Sequence, residues 1–238
     1  MAKPQPKAPA PAAKPQTARF ALPKSGALAR ALEALKRGDS PTLANVPEGF
    51  DAVVVADLAR ALSRDVEGPA VLVHVARDSG RSAAFVGALK FVAPEIEVLS
   101  VPAWDCQPYD RVSPNGAIAA QRMTALSRLA RSRSSEEQPR ILCTTVNALI
   151  QRVPPPGTWA AAHLEIRVGD AIDPEAFTAA LQRLGYIVDD RVDEPGEVAR
   201  RGRTLEVFPA AAARPCRIEH DEARVTAIRS YDPVTQRS

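Results

Sequence analysis

Residues 96–133 read IEVLSVPAWDCQPYDRVSPNGAIAAQRMTALSRLARSR, and this stretch decides the class of fold. An apolar run typical of a buried strand, Ile96–Val101, precedes a loop interrupted by prolines, Pro102–Pro114. A helical pattern, Ile118–Arg133, follows the loop. This order is typical of an α/β sheet, whose recognition groups gather in loops at the carboxyl edge. We therefore expect residues 102–114 to lie at a functional edge of the sheet.

Segments of the same kinds surround this stretch. They are a helix from Ser25 to Gly38, a short β-rich run at Ala52–Asp57, a buried strand at Ala70–Ala76, a helix at Ser79–Val92 and a buried strand at Arg140–Val146. Strands that alternate with helices indicate a parallel sheet with helices on its faces. VPPPG at 153–157 cannot continue a helix or a central strand, so it predicts the exit from this first domain.

A second, smaller domain is predicted from His163 onward. LEIRV (Leu164–Val168) predicts a strand. The next helix should have Asp173 as N-cap, Pro174 as first residue, an apolar stripe of Phe177, Leu181 and Leu184, and Gly185 as its stop. The runs RRGRTLEVFPA, PCRIEH and RVTAIRSYD then predict a small, mainly antiparallel sheet backed by that helix. Since the sequence stops after DPVTQRS, we expect this domain to be truncated at its C-terminus.

Composition limits the classes of protein to be considered. The expected organisation is an extended Pro/Ala/Lys tail at 1–17, an α/β domain at 18–158 and an α+β domain at 163–238. There is no apolar run long enough to cross a membrane, and three widely spaced cysteines make neither a disulfide framework nor a zinc pattern. We therefore expect a cytoplasmic protein. A net charge of only +3 does not indicate contact with DNA.

The sequence lacks the usual signals of catalysis. A phosphate-binding GxxxxGK[ST] loop is absent, and the strand at 70–76 runs instead into RDSGRS, which offers Gly80 and Arg81. His74, His163 and His220 lie apart and without ligand spacing. Of the cysteines, Cys143 should be buried and Cys106 exposed, and neither is interpreted as a nucleophile. We assign no catalytic residue, no cofactor and no metal ligand.

The 102–114 loop allows two interpretations. Asp105, Tyr109 and Asp110 could form a site near a nucleotide or sugar phosphate, as in an α/β enzyme. Alternatively, Trp104 and Tyr109 pack the loop onto the sheet while the two acids cap a helix or face solvent. We favour the structural interpretation, because aromatic and acidic loop residues more often stabilise a fold than react.

Arginines form the densest basic cluster of the second domain. Arg200, Arg201 and Arg203 lie close together, and Arg217 lies on the next β-like run. In a strand, residues 201 and 203 would share one face and residue 200 would take the other. Guanidinium groups offer planar, multi-donor contacts suited to protein interfaces. The alternative is a solvated sheet face in which the arginines alternate with Glu197, Glu206 and Glu219.

Four segments in order resemble the N-terminal part of the bacterial transcription-repair coupling factors, the Mfd family. PAWDCQPYDRVSP (102–114) is similar to that family's W-[DE]-x-x-P-Y-[DE]-x-x-S-P block. The second segment, TTVNALIQRVPPP (144–156), resembles the family's VN-x-L-x-QR-x-x-P. The third, GEVARRGRTLEVFP (196–209), resembles GE-[FY]-x-x-RG-x-x-x-[DE]-[LIV]-FP. The fourth, DPVTQRS (232–238), resembles D-x-x-[ST]-QR-[ST]. The resemblance that they indicate covers the chain from about residue 20 to its C-terminus.

The resemblance implies a UvrB-like module. Its first domain would be a degenerate nucleotide-binding fold that has lost the P-loop. Its second would be a UvrB-interaction domain, which in the family recruits the damage-recognition protein UvrA. The family's UvrA-binding arginines fall on Arg201 and Arg217. Full-length relatives also bind RNA polymerase and translocate on DNA with ATP, through regions absent from these residues.

Two departures from the family pattern concern the predicted partner contact. The family usually has an aromatic pair in a sequence like RLDFFGD, whereas this chain reads RIEHDEA, with His220 and Asp221 in those places. Arg203 also stands where a glycine is common. We predict a non-enzymatic module that recruits UvrA in nucleotide excision repair, with weaker affinity if the aromatic rings contact the partner. The rivals are an enzyme that uses the 102–114 loop and a DNA-binding domain, against which the near-balanced charge argues.

Overall fold

The computed structural model describes residues 26–65, 71–107, 109–131, 139–221 and 223–237. The predicted tail at 1–17 and the predicted helix start at Ser25 lie outside these residues. The described chain contains a parallel sheet of three strands and a mostly antiparallel sheet of five strands, with helices packed on both. The predicted fold class is therefore confirmed.

The helices and strands follow one another along the chain in two groups. The first group contains α1 (Gly26–Lys36), α2 (Asp51–Asp65), β1 (Val71–Ala76), α3 (Ser79–Val92), β2 (Glu97–Val101), α4 (Gly116–Ala130), β3 (Arg140–Thr145), α5 (Val146–Leu149) and α6 (Pro156–Ala161). The second group contains α7 (Pro174–Arg183), β4 (Ile187–Val188), β5 (Glu197–Arg201), β6 (Thr204–Val207), β7 (Cys216–His220) and β8 (Val225–Ser230).

The first sheet has the strand order β1-β3-β2, and both pairs of neighbours are parallel. On one face, Ile141 of β3 packs against Phe85 and Leu89 of α3 and against the small residues of α2. On the other face, Leu99 and Val101 of β2 pack against α4. Helices thus cover both faces, as the alternation of strands and helices predicts, and the loop at 102–114 lies at the carboxyl edge.

The strand predicted at Ala52–Asp57 is wrong, because these residues belong to α2. Three consecutive valines favour a strand by propensity, but Ala52, Ala56 and Ala59 have the spacing of one helical face and are all buried. Their small side chains let α2 pack closely against α3. Within the described residues, the first sheet therefore has three strands and not four.

The prediction that β1 is fully buried is also wrong. Val71, Val73 and Val75 are 37%, 50% and 40% exposed, while the alternate residues of the strand face the α2 and α3 layer. The reason is position, since β1 is an edge strand and α4 packs against β2 at the opposite edge. A run of apolar residues in the sequence does not distinguish an edge strand from a fully covered one.

The second sheet has the order β4-β5-β6-β7-β8, in which only β4 and β5 are parallel. The apolar stripe of α7 covers one face, where Leu181 packs with Val198, Leu205 and Ile218. The predicted helix ends are confirmed. The Asp173 carboxylate accepts the backbone N–H groups of residues 175 and 176 at 2.9 and 3.1 Å, and Gly185 has a φ of 93° just after the helix.

Two predictions for the second region need correction. Residues 164–168 form no strand in the structure; the chain meets β8 only just after them, where Gly169 N–H donates to Val225 O at 2.8 Å and Val225 N–H donates to Asp170 O at 2.9 Å. The chain turns at Gly169, which has a φ of 94°. In addition, RRGRTLEVFPA is a hairpin and not one run, because residues 202 and 203 form the turn between β5 and β6.

The division of the chain at residues 158 and 163 remains a prediction. Helix α6 begins inside the predicted exit segment and packs against α4. Within the described ranges, no helix combines the length and the apolar character needed to cross a lipid bilayer.

Replacement of Ile141 by Ala should lower the free energy of unfolding by about 2–5 kcal/mol, since Ile141 lies on the central strand of the first sheet and leaves a cavity when truncated. Urea denaturation followed by circular dichroism measures the change. Val73→Ala on the neighbouring edge strand is the matched control and should lose clearly less, because Val73 is already 50% exposed. Equal losses at both positions would contradict the assigned packing.

Candidate functional site

The 102–114 loop forms one wall of a groove of about 720 Å³ at the carboxyl edge of the first sheet. The other walls come from residues 77 and 78 after β1, one face of α3 from Ser79 to Lys90, the first half of α4, and the end of β3 with the residues that follow it. Among the groove residues with polar side chains are Arg77, Ser79, Lys90, Asp105, Thr145 and Asn147. The predicted position of the loop at a sheet edge is therefore confirmed.

Trp104 and Arg122 hold this loop against the first sheet. The guanidinium carbon of Arg122 lies 4.4 Å from the centre of the Trp104 ring, in a cation–π contact. Arg122 is only 1% exposed, and it donates to the carbonyl of Pro102 and to Gln151 Oε1 at 3.1 Å. Burial lowers the pKa of Arg122. The structural interpretation of Trp104 is thus supported by its contacts.

The other loop residues do not converge on one site. Asp105 Oδ1 accepts the backbone N–H of Asn115 at 3.1 Å and so links the two ends of the loop, whereas Asp110 Oδ2 accepts that of Gln107 at 2.7 Å and stabilises a local turn. Tyr109 is fully exposed and has a φ of 73°, so it does not pack the loop as the structural interpretation expected. Only Asp105 of the proposed trio lines the groove.

A carboxylate occupies the place where a phosphate-binding loop would present its N–H groups. Asp78 is the N-cap of α3, and its Oδ1 accepts the backbone N–H of Arg81 at 2.8 Å. This bond lowers the pKa of Asp78. The Arg81 side chain is turned toward Glu48 and Asp51, with 3.3 Å to the latter. A helix N-terminus favours anions, but here the anion is already part of the chain.

The histidines and cysteines have structural surroundings. His74 stacks on Phe85 with ring centres 3.7 Å apart, and burial lowers its pKa. His163 Nε2 lies 2.6 Å from Arg131 Nη1, and His220 Nδ1 lies 2.7 Å from the carbonyl of Asp221. In the part of the chain that the structure describes, no group of His, Cys, Asp and Glu side chains is arranged to hold a metal ion.

The arginines of the second sheet are placed by the strand register. Arg201 opposes Thr204 and, through it, Glu219, whereas Glu206 opposes Arg217 and, through it, Arg229. Because these positions share one parity, they lie on the face opposite α7. We call this surface, which carries Arg201, Arg217 and Arg229, the arginine face. Arg201 and Arg217 therefore share a face, with β6 between their strands.

Arg200 and Arg203 do not belong to the arginine face. Arg200 points to the α7 side, where its Nη1 lies 3.0 Å from Glu175 Oε1, as the prediction of opposite faces requires. Arg203 lies in the hairpin turn, so the prediction that it shares a strand face with Arg201 is wrong. The tight turn after Arg201 leaves no strand position for residue 203.

The three arginines differ in how firmly they are held. Arg217 Nε and Nη2 donate to Glu206 Oε1 at 2.9 and 2.6 Å, and its guanidinium lies 4.8 Å from the centre of the Tyr231 ring. Arg201 is exposed and donates to the carbonyl of Asp190. Arg229, with a side chain that is 61% exposed, donates to Glu219 at 3.2 Å. Glu206 and Glu219 thus alternate with arginines on this face, but Glu206 is only 4% exposed, so the solvated-face alternative holds for Glu219 and not for Glu206.

The turn that departs from the family pattern presents little aromatic surface. His220 is 8% exposed, so its ring is turned inward. Asp221 Oδ1 accepts the backbone N–H groups of residues 223 and 224 at 2.8 and 2.7 Å, which lowers the pKa of Asp221. The sequence analysis did not identify Arg229 as part of the arginine face or Tyr231 as a contact of Arg217. Strict alternation along β8 would have placed Arg229 on that face.

The chain is similar to known proteins over most of its length. Residues 164–238 match the family model of the UvrB interaction domain. Similarity to the transcription-repair-coupling factor of Haemophilus influenzae is 29% identity over 84% of this chain, to that of Mycobacterium bovis 32% over 76%, and to that of Escherichia coli 27% over 86%. The chain spans 14–17% of the length of these relatives. The resemblance found in the four segments is confirmed.

Cys143 should resist alkylation at pH 8 in the folded protein, because burial raises the pKa of its thiol to about 12 and keeps it protonated. We expect its modification by iodoacetamide, followed by mass spectrometry, to be at least about a hundredfold slower than in the denatured chain. Cys106, which is only partly buried, is the internal control. Equal rates for the two cysteines in the folded state would contradict this prediction.

ATP with Mg²⁺ at millimolar concentration should shift the melting temperature by less than about 1 °C, because stabilisation requires binding to the folded state. Asp78 already caps the helix end where a phosphate would bind. Differential scanning fluorimetry measures the shift, and Asp78→Ser, which keeps a capping side chain without its charge, is the matched variant. Clear stabilisation of the unaltered chain would favour the enzyme or nucleotide-binding alternative.

Proposed function

Because this chain belongs to the family of transcription-repair-coupling factors and residues 164–238 match the UvrB interaction domain, we propose that it is a non-catalytic recruitment module. In this proposal the arginine face binds UvrA and brings it to stalled transcription complexes during nucleotide excision repair. Arg201 and Arg217 are the anchors of the contact. The module acts in the bacterial cytoplasm, where transcription and the repair of DNA take place.

One observation carries the proposal. Arg201, Arg217 and Arg229 come from three strands but lie on one face, which α7 leaves uncovered. Arginine is among the residues enriched at protein interfaces and at their energetic centres. Both anchors also lie inside the segment that matches the interaction domain. The face is thus a surface of suitable chemistry in a segment related to known interaction domains.

The first sheet supports the non-catalytic part of the proposal. The sequence has no GxxxxGK[ST] segment, and the carboxylate of Asp78 caps the helix end where phosphate groups bind in nucleotide-binding relatives. The acids of the 102–114 loop accept backbone N–H groups of the loop itself and of its junction with α4. We propose that the first sheet is a scaffold. Contacts with RNA polymerase and DNA belong, in this view, to parts of the relatives that this chain does not match.

Arg201→Ala and Arg217→Ala should each weaken UvrA binding by about 2 kcal/mol or more, close to thirtyfold in the dissociation constant, because each removes an anchor of the interface. Isothermal titration calorimetry with purified UvrA measures the change. Arg200→Ala is the matched control, since this arginine neighbours Arg201 on the same strand but faces α7.

The control distinguishes the loss of a contact on the arginine face from the loss of a positive charge. Arg200→Ala removes the same charge from the same strand, so it should leave the affinity within about twofold of the unaltered chain if only the arginine face binds UvrA. Equal weakening by all three substitutions would indicate a general electrostatic effect. Unchanged affinity in both Arg201→Ala and Arg217→Ala would overturn the proposed function.

A further inference from the structure

We infer that Glu206 and Tyr231 are positioning residues that hold the Arg217 guanidinium in the orientation used for the partner contact. This inference rests on the proposed function, because it concerns one of the two proposed anchors. It adds two residues that do not contact the partner themselves but affect the contact through Arg217. Its evidence is the geometry of the three side chains.

The carboxylate is the first half of this arrangement. Glu206 opposes Arg217 directly across β6 and β7, and its Oε1 accepts bonds from Nε at 2.9 Å and from Nη2 at 2.6 Å. The Glu206 side chain is only 5% exposed, whereas that of Arg217 is 26% exposed. The acid therefore lies beneath the arginine and holds the inner edge of its planar group.

The aromatic ring is the second half. The Arg217 guanidinium carbon lies 4.8 Å from the centre of the Tyr231 ring, within the range of a cation–π contact. Tyr231 is itself 1% exposed, and its hydroxyl donates to the carbonyl of Val192 at 3.4 Å. Burial raises the pKa of Tyr231 to about 12, so the ring stays neutral at physiological pH. The ring is thus a fixed surface for the guanidinium.

One edge of the guanidinium stays available. Nε and Nη2 donate to Glu206, while Nη1 has no hydrogen-bond partner among the described residues. An arginine side chain has many rotamers, and the entropy of this freedom is partly lost when the side chain is fixed in an interface. Because the folded module already fixes Arg217, less of this entropy is lost on binding. The chemistry predicts an oxygen acceptor of the partner, such as a carboxylate or carbonyl, opposite Nη1.

The burial of Glu206 distinguishes it from the other acid of the arginine face. Glu206 Oε2 is buried without a hydrogen-bond partner in the described chain, which is unfavourable for folding. Glu219, by contrast, is 37% exposed and pairs with Arg229 at the surface, where an ion pair contributes little. A buried acid with one unpaired oxygen is explained better by its effect on Arg217 than by its own stabilisation of the sheet.

A double-mutant cycle on the full chain tests the inference. The variants are Glu206→Gln, Arg217→Ala and the pair together, with UvrA affinity measured by calorimetry and folding checked by urea denaturation. Glu206→Gln keeps the size of the side chain but removes its charge. It should weaken UvrA binding by roughly fivefold to tenfold, and this loss should disappear in the Arg217→Ala background, because a positioning residue acts only through Arg217. A change in stability would persist in both backgrounds.

Tyr231 provides an independent arm in case Glu206→Gln fails to fold. Tyr231→Phe keeps the ring and should leave the affinity within about twofold, whereas Tyr231→Leu removes the cation–π surface and should weaken binding by roughly fivefold. Equal affinities of the two Tyr231 variants would overturn the role of the ring. A loss from Glu206→Gln that is undiminished in the Arg217→Ala background would overturn the role of the acid.

The two hypotheses fail in different ways. If Arg217→Ala and Arg201→Ala both bind UvrA like the unaltered chain, the proposed function fails. If Arg217→Ala weakens binding while Glu206→Gln and Tyr231→Leu do not, Arg217 is an anchor that needs no positioning, and only this inference is overturned.

Discussion

The hydrogen-bond register of β6 is the constraint on which the rest of this surface depends. β6 pairs with β5 on one side and β7 on the other, and this register brings Ala199, Glu206 and Arg217 side by side. A shift of one residue would exchange the two faces of a strand. The apolar face prevents the shift, because Leu205 and Ile218 are buried against α7. Hydrophobic burial on one side therefore determines which charges lie on the other.

Charged side chains have different roles at the two sheets. At the first sheet, an internal carboxylate caps α3 and the buried Arg122 holds the loop after β2, so charges serve the fold itself. At the second sheet, Arg201 and Arg229 remain at the surface, and Arg217, whose side chain is 26% exposed, donates to the buried Glu206. This difference favours the second sheet as the place of recognition and the first as its support.

Local signals predicted the elements whose formation depends on their own residues. The cap at Asp173 and the stop at Gly185 bracket α7 as expected, because capping and positive φ act within one turn. Predictions failed where a distant neighbour decides. AVVVAD is a helix because its alanines pack on α3, LEIRV is no strand because its chain meets β8 only later, and β1 is half exposed because α4 packs against the opposite edge.

The candidate site shows the same division. By itself the sequence determined the α/β class, the absence of a phosphate-binding loop, the resemblance to the coupling factors and the choice of Arg201 and Arg217. Only the tertiary structure decided that Arg203 lies in a turn and that Glu206 and Tyr231 enclose Arg217. The physical reason is that these contacts join residues on different strands. Their proximity depends on cross-strand register, which is set by burial of the whole sheet and not by any local run of residues.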